Sequence, residues 1–232
     1  MQRILPAIAL VAGLSLAGCT GGGDEPDQST DTDGGSSSAA EAQPEAEKLD
    51  EAQLKEIFES TQADGQSFKN GGATGEMAKA LEGSEFEPAK CRDITLNLID
   101  SKLVQGGTSV TGASSDNVLS AGLSSFDSVD DAQTQLDGTE NVAEECSDVK
   151  LTTAGLEMQV KMKASDPDVA GADETAGIVA SVETGGQTAT EIRYVAARVD
   201  NNLVAVTNVA DVEEATVTNA ADAFVESVKK AG

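Results

Sequence analysis

Ile192-Arg193-Tyr194-Val195-Ala196-Ala197-Arg198-Val199-Asp200-Asn201-Asn202-Leu203-Val204-Ala205-Val206 is the run on which the fold turns. Apolar and β-branched residues fill both of its halves. Asp200-Asn201-Asn202 separates them with side chains that tolerate left-handed backbone. Ala189 to Val199 and Leu203 to Asn208 are therefore predicted to pair as a β-hairpin, which makes the sheet antiparallel. Upstream, Leu156, Met158, Val160 and Met162 alternate with Glu157, Gln159, Lys161 and Lys163, a two-residue period that predicts a strand. Ile178, Ala180 and Val182 predict another, ending at Gly185-Gly186. Leu119, Ala121 and Leu123, alternating with Ser120, Gly122 and Ser124, predict a half-buried one. The count is about five strands.

Helical spacing brackets these strands. Leu54, Ile57 and Phe58 share one face of a helix over Leu49 to Thr61. Asp64 to Gly75, with Gly65, Gly71 and Gly72, reads as loop, and a short helix is expected over Glu76 to Leu81. Cys91, Ile94 and Leu98 fall at i, i+3 and i+7 after Pro88, a residue suited to a first helical turn, so Cys91 should sit on a buried face. Ser128, with Asp131 three residues on, is a helix-start pattern for a segment carrying Ala132, Leu136 and Val142 toward Cys146. Val217, Ala221, Phe224, Val225 and Val228 predict a last helix, with Lys229 and Lys230 opposing its dipole. The expected class is α+β, an antiparallel sheet with helices packed against it.

The N-terminus carries its own signature. Arg3 precedes an apolar run from Ile4 to Ala17, too short to span a bilayer and right for a secretory signal over residues 1–18. Leu16-Ala17-Gly18-Cys19 matches a bacterial lipobox, in which small residues admit the peptidase and the Cys19 thiol takes the diacylglycerol. Residues 19–47 hold eight acidic residues and no Lys or Arg, so they should form a solvated tether. A flexible chain of that length reaches about 30 Å, and like charges lengthen it. The globular domain then occupies residues 48–232, and the localisation implied is the outer face of a cell membrane.

Composition removes whole classes of function. The domain carries 33 acidic against 14 basic residues, a field that repels nucleic acid. With no His in the chain, Ser-His-Asp and Cys-His catalysis and the common zinc sites are unavailable. Gly122-Leu123-Ser124-Ser125-Phe126 lacks the last Gly of a nucleophile elbow, and Gly71-Gly72-Ala73-Thr74-Gly75-Glu76 has no P-loop Lys. Asp166, Asp168, Asp173 and Glu174 surround Pro167 and Gly171, which is either a calcium loop or, more economically, a solvated one. No cofactor is implied, and an enzyme is not expected. Cys91 and Cys146, an even pair in an oxidising compartment, are predicted to form a disulfide. Its loop of about 56 residues would be worth about 4 kcal/mol in the chain-entropy model.

In order, the chain has the lipobox, the acidic tether, an early helix, a Cys opening a helix, and a strand leading to Phe126-Asp127. Next come Ser128 to Ala132 (Ser-x-x-Asp-Ala) starting a helix to a second Cys, four strands with the opening run, and a terminal helix. This arrangement resembles the actinobacterial sensor-type domain on the outer face of PknH-type receptor kinases and in related stand-alone lipoproteins. The resemblance covers roughly Leu49 to Lys230. It implies an antiparallel sheet with helices on one side, enclosing a cleft that takes a ligand, and it brings no catalytic residues. Such domains usually carry two disulfides, whereas this chain can form one.

These observations point to a non-catalytic, membrane-anchored binding module, its partner a small ligand, a lipid or an envelope protein. The alternative is an assembly factor docking a basic partner on its acidic surface; a hydrolase would need converging carboxylates or a Ser-Lys pair. Tyr194, the chain's one tyrosine, with Arg193 and Arg198 on the same strand, is a candidate ligand site. The competing reading is a core tyrosine flanked by solvated arginines. Met158 and Met162 either line a lipid cavity or are simple core.

Overall fold

The computed structural model describes residues 47–71, 81, 83–99, 107–208 and 210–232. Cys19, the signal segment and nearly all of the tether lie outside the described residues, as does the expected helix over Glu76 to Leu81 apart from its last residue. In chain order the elements are α1 Glu51–Ser60, β1 Gln62–Ala63, β2 Gln66–Asn70, β3 Glu85–Glu87 and α2 Cys91–Ile99. β4 Thr108–Ser114, β5 Leu119–Ser125, α3 Val129–Glu145, β6 Asp148–Thr153 and β7 Leu156–Ser165 follow. The chain ends with β8 Glu174–Thr184, β9 Gln187–Val199, β10 Asn202–Asn208 and α4 Glu214–Ala231.

The sheet order is β1-β2-β4-β5-β10-β9-β8-β7-β6-β3, and the pairs of neighbouring strands are antiparallel. β6 to β10 form an unbroken meander, closed onto the earlier part of the chain where β10 pairs with β5 in register from Asn202↔Ser125 to Asn208↔Leu119. The predicted hairpin is β9–β10, with Val199 paired to Asn202, so the turn is Asp200-Asn201 and Asp200 takes a positive φ of 51°.

Three expectations are corrected here. The sheet has ten strands among the described residues, not about five. All five predicted strands are present; of the five additional ones β1 has two residues and β6 alternates Val149 and Leu151 with Asp148 and Lys150, while the rest are short or polar. β2 and β3 each carry one apolar anchor (Phe68, Phe86) and β4 is mostly Ser, Thr, Gly and Ala, so alternation has nothing to register. Part of the presumed loop from Asp64 to Gly75 is strand β2, reached through a tight turn at Asp64 and Gly65, both at positive φ. Finally, helices cover both faces of the sheet rather than one.

Two cores result. On one face α1 and α4 bury Leu54, Phe58, Phe224 and Val225 against Phe68 and the odd-numbered Val195, Ala197 and Val199 of β9. Phe68 and Phe58 lie 4.7 and 5.3 Å from the Phe224 ring centre, a cluster in which each aromatic pair adds about 0.5–1.5 kcal/mol beyond burial. On the other face α3 and the start of α2 bury Leu136, Val142, Cys91 and Cys146 against Tyr194, Ala196 and the β6–β8 face. β5 and β10 are buried along their whole length, so β5 is covered on both faces and is not the half-buried strand its alternation suggested. The helix starts follow the sequence signals. Ser128 caps α3 by accepting from Asp131 N–H at 3.1 Å, and Asp50 and Gln53 form a reciprocal capping box at α1.

β2 and β4 approach closely at Gly112, where an added Cβ would overlap the Lys69 carbonyl and the Phe58 ring. Gly112→Ala is expected to destabilise the domain by about 1–3 kcal/mol, seen as a lower urea midpoint at unchanged slope. An unshifted midpoint would show that this crossing is not tight.

Candidate functional site

Beyond the end of α3 at Cys146 the far part of the meander carries a floor of cross-strand rows, with Leu151, Val160, Met162 and Ala180 buried and Met158, Val182 and Ile192 half-buried. Leu151 of β6 pairs with Met158 of β7, Val160 pairs with Val182 of β8, and the row Met162–Ala180–Ile192 crosses three strands. Each of these side chains points to the same face because of the two-residue strand period. Above them stand Thr95 of α2 and Leu81, leaving an open cavity of about 230 Å³. No ionisable side chain is among its described lining residues.

The roof is held by a covalent link. Cys91, the first residue of α2, is bonded to Cys146, the C-cap of α3, with 5.7 Å between their Cα atoms and both residues buried. Thr95 lies one turn beyond Cys91 on the same face of α2. The predicted disulfide is thus present, and it fixes the helix that borders the cavity. Pairing Cys91 with Cys146 constrains the chain across a separation of 55 residues.

Polar groups at the rim are engaged. The Thr190 hydroxyl donates to Asp211 Oδ1 at 2.9 Å. Thr95 differs: it is 4 % exposed, and its hydroxyl has no hydrogen-bond partner in the protein. Other helical threonines behave as expected, Thr134 donating to Asp130 O at 2.9 Å and Thr218 to Glu214 O at 3.3 Å.

The sequence candidates are dispersed. Tyr194 is buried beneath α3 with its hydroxyl bonded to Thr139, and burial pushes its phenol well above the usual tyrosine value. Arg198 shares that face of β9. It donates from Nε to Gln133 Oε1 at 2.8 Å and pairs with Asp173 and Glu174, joining α3 to the loop before β8. Arg193 takes the opposite face, paired with Glu191 and lying 3.9 Å from Glu214 of α4. The three therefore do not converge on one cleft. Met158 and Met162 both line the cavity, while Leu151, Ala180, Val182, Ile192 and Thr95 join them without having been singled out. The available signal for Thr95 was its place four residues after Cys91 on a face already predicted to be buried.

In the acidic stretch from Asp166 to Glu174, Asp173 accepts from Asp200 N–H at 2.7 Å as well as from Arg198. Asp166 accepts from the Thr175 hydroxyl at 3.5 Å. Among the described residues no three acidic, Cys or His side chains group as a metal cage.

The extracellular domain of PknH from Mycobacterium tuberculosis matches with a TM-score of 0.51 at 13% identity, over 79% of this chain and 98% of that one. The two share a fold. An uncharacterised protein from Mycobacterium smegmatis (the Rv0999 ortholog) also matches, with a TM-score of 0.40 and 20% identity over 80% of this chain and 98% of that one. No protein-family model matches, and no curated protein does. The resemblance to the PknH-type sensor domain, first read from the order of elements, is thus present in three dimensions, while identity at this level speaks to architecture alone.

Burial of Tyr194 has a titratable consequence. Because its folded-state pKa is raised above the ordinary value of 10.0, its contribution to stability is complete below about pH 10 and is lost as pH climbs toward the folded value. Alkaline titration of the intact protein is expected to show tyrosinate absorbance only as circular dichroism reports unfolding. Ionisation at the ordinary value in a folded domain would contradict its placement in the core.

Proposed function

We propose that the chain is an extracytoplasmic lipoprotein, anchored to the membrane through Cys19, whose domain binds an apolar ligand without catalysing a reaction on it. Residues 1–18 are the signal peptide, 19–47 the lipidated acidic tether, and 48–232 the binding domain. The observation that carries this reading is the apolar cavity between the β6–β9 floor and the disulfide-held helix α2. A general acid or base needs a titratable group beside its substrate, and the described lining residues supply none. The disulfide suits an oxidising compartment. The fold likeness to an extracellular domain agrees with that placement. Attachment is assigned to the lipobox on its own residues, Leu16-Ala17-Gly18-Cys19; among the described residues no helix is long and apolar enough to cross a membrane.

Two measurements test the two halves of the proposal. Cys19→Ala is expected to move the protein from the membrane fraction to the medium; retention in the membrane would overturn the anchor. For the cavity, an apolar environment-sensitive fluorophore is expected to bind the full-length protein. Ala180→Leu and Val182→Phe, which fill the space from adjacent positions, should weaken it about tenfold or more. Unchanged affinity in both folded variants would overturn the site. Capture of a basic protein that fades steeply with salt, with no fluorophore bound, would instead favour the acidic surface as the functional one.

A further inference from the structure

The cavity pairs two features that together limit what can enter it. Its described lining residues carry no charge, so an ionised headgroup placed there would lose hydration with no counter-ion to offset the loss. It also has one wall residue, Thr95, whose buried hydroxyl is unpaired within the protein. A threonine inside a helix ordinarily bonds its hydroxyl to the carbonyl one turn back, as Thr134 and Thr218 do here. Leaving a buried hydroxyl unpaired is unfavourable, and an apolar residue of the same shape, valine, would avoid the cost.

We propose that the cavity selects a neutral ligand, a hydrocarbon chain carrying one hydroxyl or carbonyl group, and that Thr95 recognises that group. This rests on the reading of the cavity as the binding site and narrows it to a ligand class. An engineered cavity of about 150 Å³ holds benzene, with its six carbons. By proportion, 230 Å³ accepts about nine non-hydrogen atoms. The rows of Val160, Met162, Ala180 and Ile192 supply the apolar floor for the chain, and the two methionines adapt to its shape. Thr95 presents its side chain to the same space. In the structure its hydroxyl is turned away from that space, whose described lining exposes only carbon; rotation about the Cα–Cβ bond carries the hydroxyl into the position the methyl holds, and this breaks no existing hydrogen bond because the hydroxyl makes none. A threonine hydroxyl both donates and accepts, so it serves an alcohol and a ketone or ester alike. The neighbouring Thr190 hydroxyl cannot substitute, being already committed to Asp211.

The test uses the full-length protein and three probes of similar size: octanol, nonane and octanoate, each displacing the apolar fluorophore. Thr95→Val is compared with Thr95→Ser, which restores the hydroxyl. Octanol is expected to bind the wild type, to weaken about 3- to 10-fold in Thr95→Val and to recover in Thr95→Ser. Nonane should bind both variants as well as it binds the wild type, and octanoate should bind poorly at neutral pH and better once protonated. If octanol and nonane respond alike to Thr95→Val, or the valine variant is merely more stable with unchanged selectivity, the role of Thr95 is overturned while the cavity stands as an apolar site. If octanoate at neutral pH matches octanol, the neutral class is wrong. If none of the probes displaces the fluorophore from the wild type, the cavity reading itself fails.

Discussion

The pairing of β5 with β10 is the seam on which the domain depends. β6 to β10 form a meander that could stand as a sheet with one edge open, and β1, β2, β4 and β5 form a smaller antiparallel unit. Seven consecutive residue pairs join the two. Because both strands are buried along their length, the seam carries side chains into both cores at once: Val204 and Val206 toward α1 and α4, Leu203 and Ala205 toward α3. Its register is locked at one end by a reciprocal pair in which Phe126 N–H donates to Asn201 O at 2.9 Å and Asn201 Nδ2 donates to Phe126 O at 2.8 Å. A slip of one residue would exchange the two cores' side chains, which ties the position of every covering helix to this ladder.

The two faces are filled differently. The face under α1 and α4 has the Phe58–Phe68–Phe224 cluster, and large rings fill space there. The other face is wide, spanning β6 to β10, and α3 covers only part of it. Ala180 lies on that floor where a larger residue would fill the gap, and α2 reaches across as a roof without closing it. A nine-residue helix is marginal by itself, even with Ile94 and Leu96 packed against the core beside Cys91. The Cys91–Cys146 bond supplies the missing restraint, so the cavity and the disulfide are parts of one arrangement.

Sequence periodicity identified what periodicity can identify. The β9–β10 hairpin, the β7 strand, α1, α3 and α4 are each long enough, or patterned clearly enough, for apolar spacing to be decisive. β2, β3 and β4 escaped because three to seven mostly polar residues around one Phe or Val hold their place by pairing with neighbours, which leaves no trace in a single segment. β1 is only two residues, whereas β6 does alternate, Val149 and Leu151 with Asp148 and Lys150, and was legible in principle. The candidate site was legible only in part for a related reason. Met158 and Met162 stood out by chemistry, but Ala180 and Ile192 join them through registers across three strands, which no local pattern encodes. Tyr194 stood out because it is the single tyrosine, and rarity is no guide to exposure. Arg193 and Arg198, an odd number of positions apart on one strand, were bound to face opposite ways.

The acidic character of the domain and the neutrality of the cavity bear on the same selection. With 33 acidic residues against 14 basic ones in the domain, the surrounding field lowers the local concentration of anions and slows their approach. An anionic lipid or fatty carboxylate is thus disfavoured before it reaches the cavity, and inside it would meet no cation among the described lining residues. A neutral ligand would be indifferent to the field, and the described lining it would meet is carbon, with the unpaired Thr95 hydroxyl buried behind it. Salt should therefore bear on one ligand class only: screening relieves the repulsion felt by an anion and leaves a neutral chain unaffected. The outer field and the inner lining discriminate in the same direction, which is the consistency across levels expected when a surface and a site serve one function.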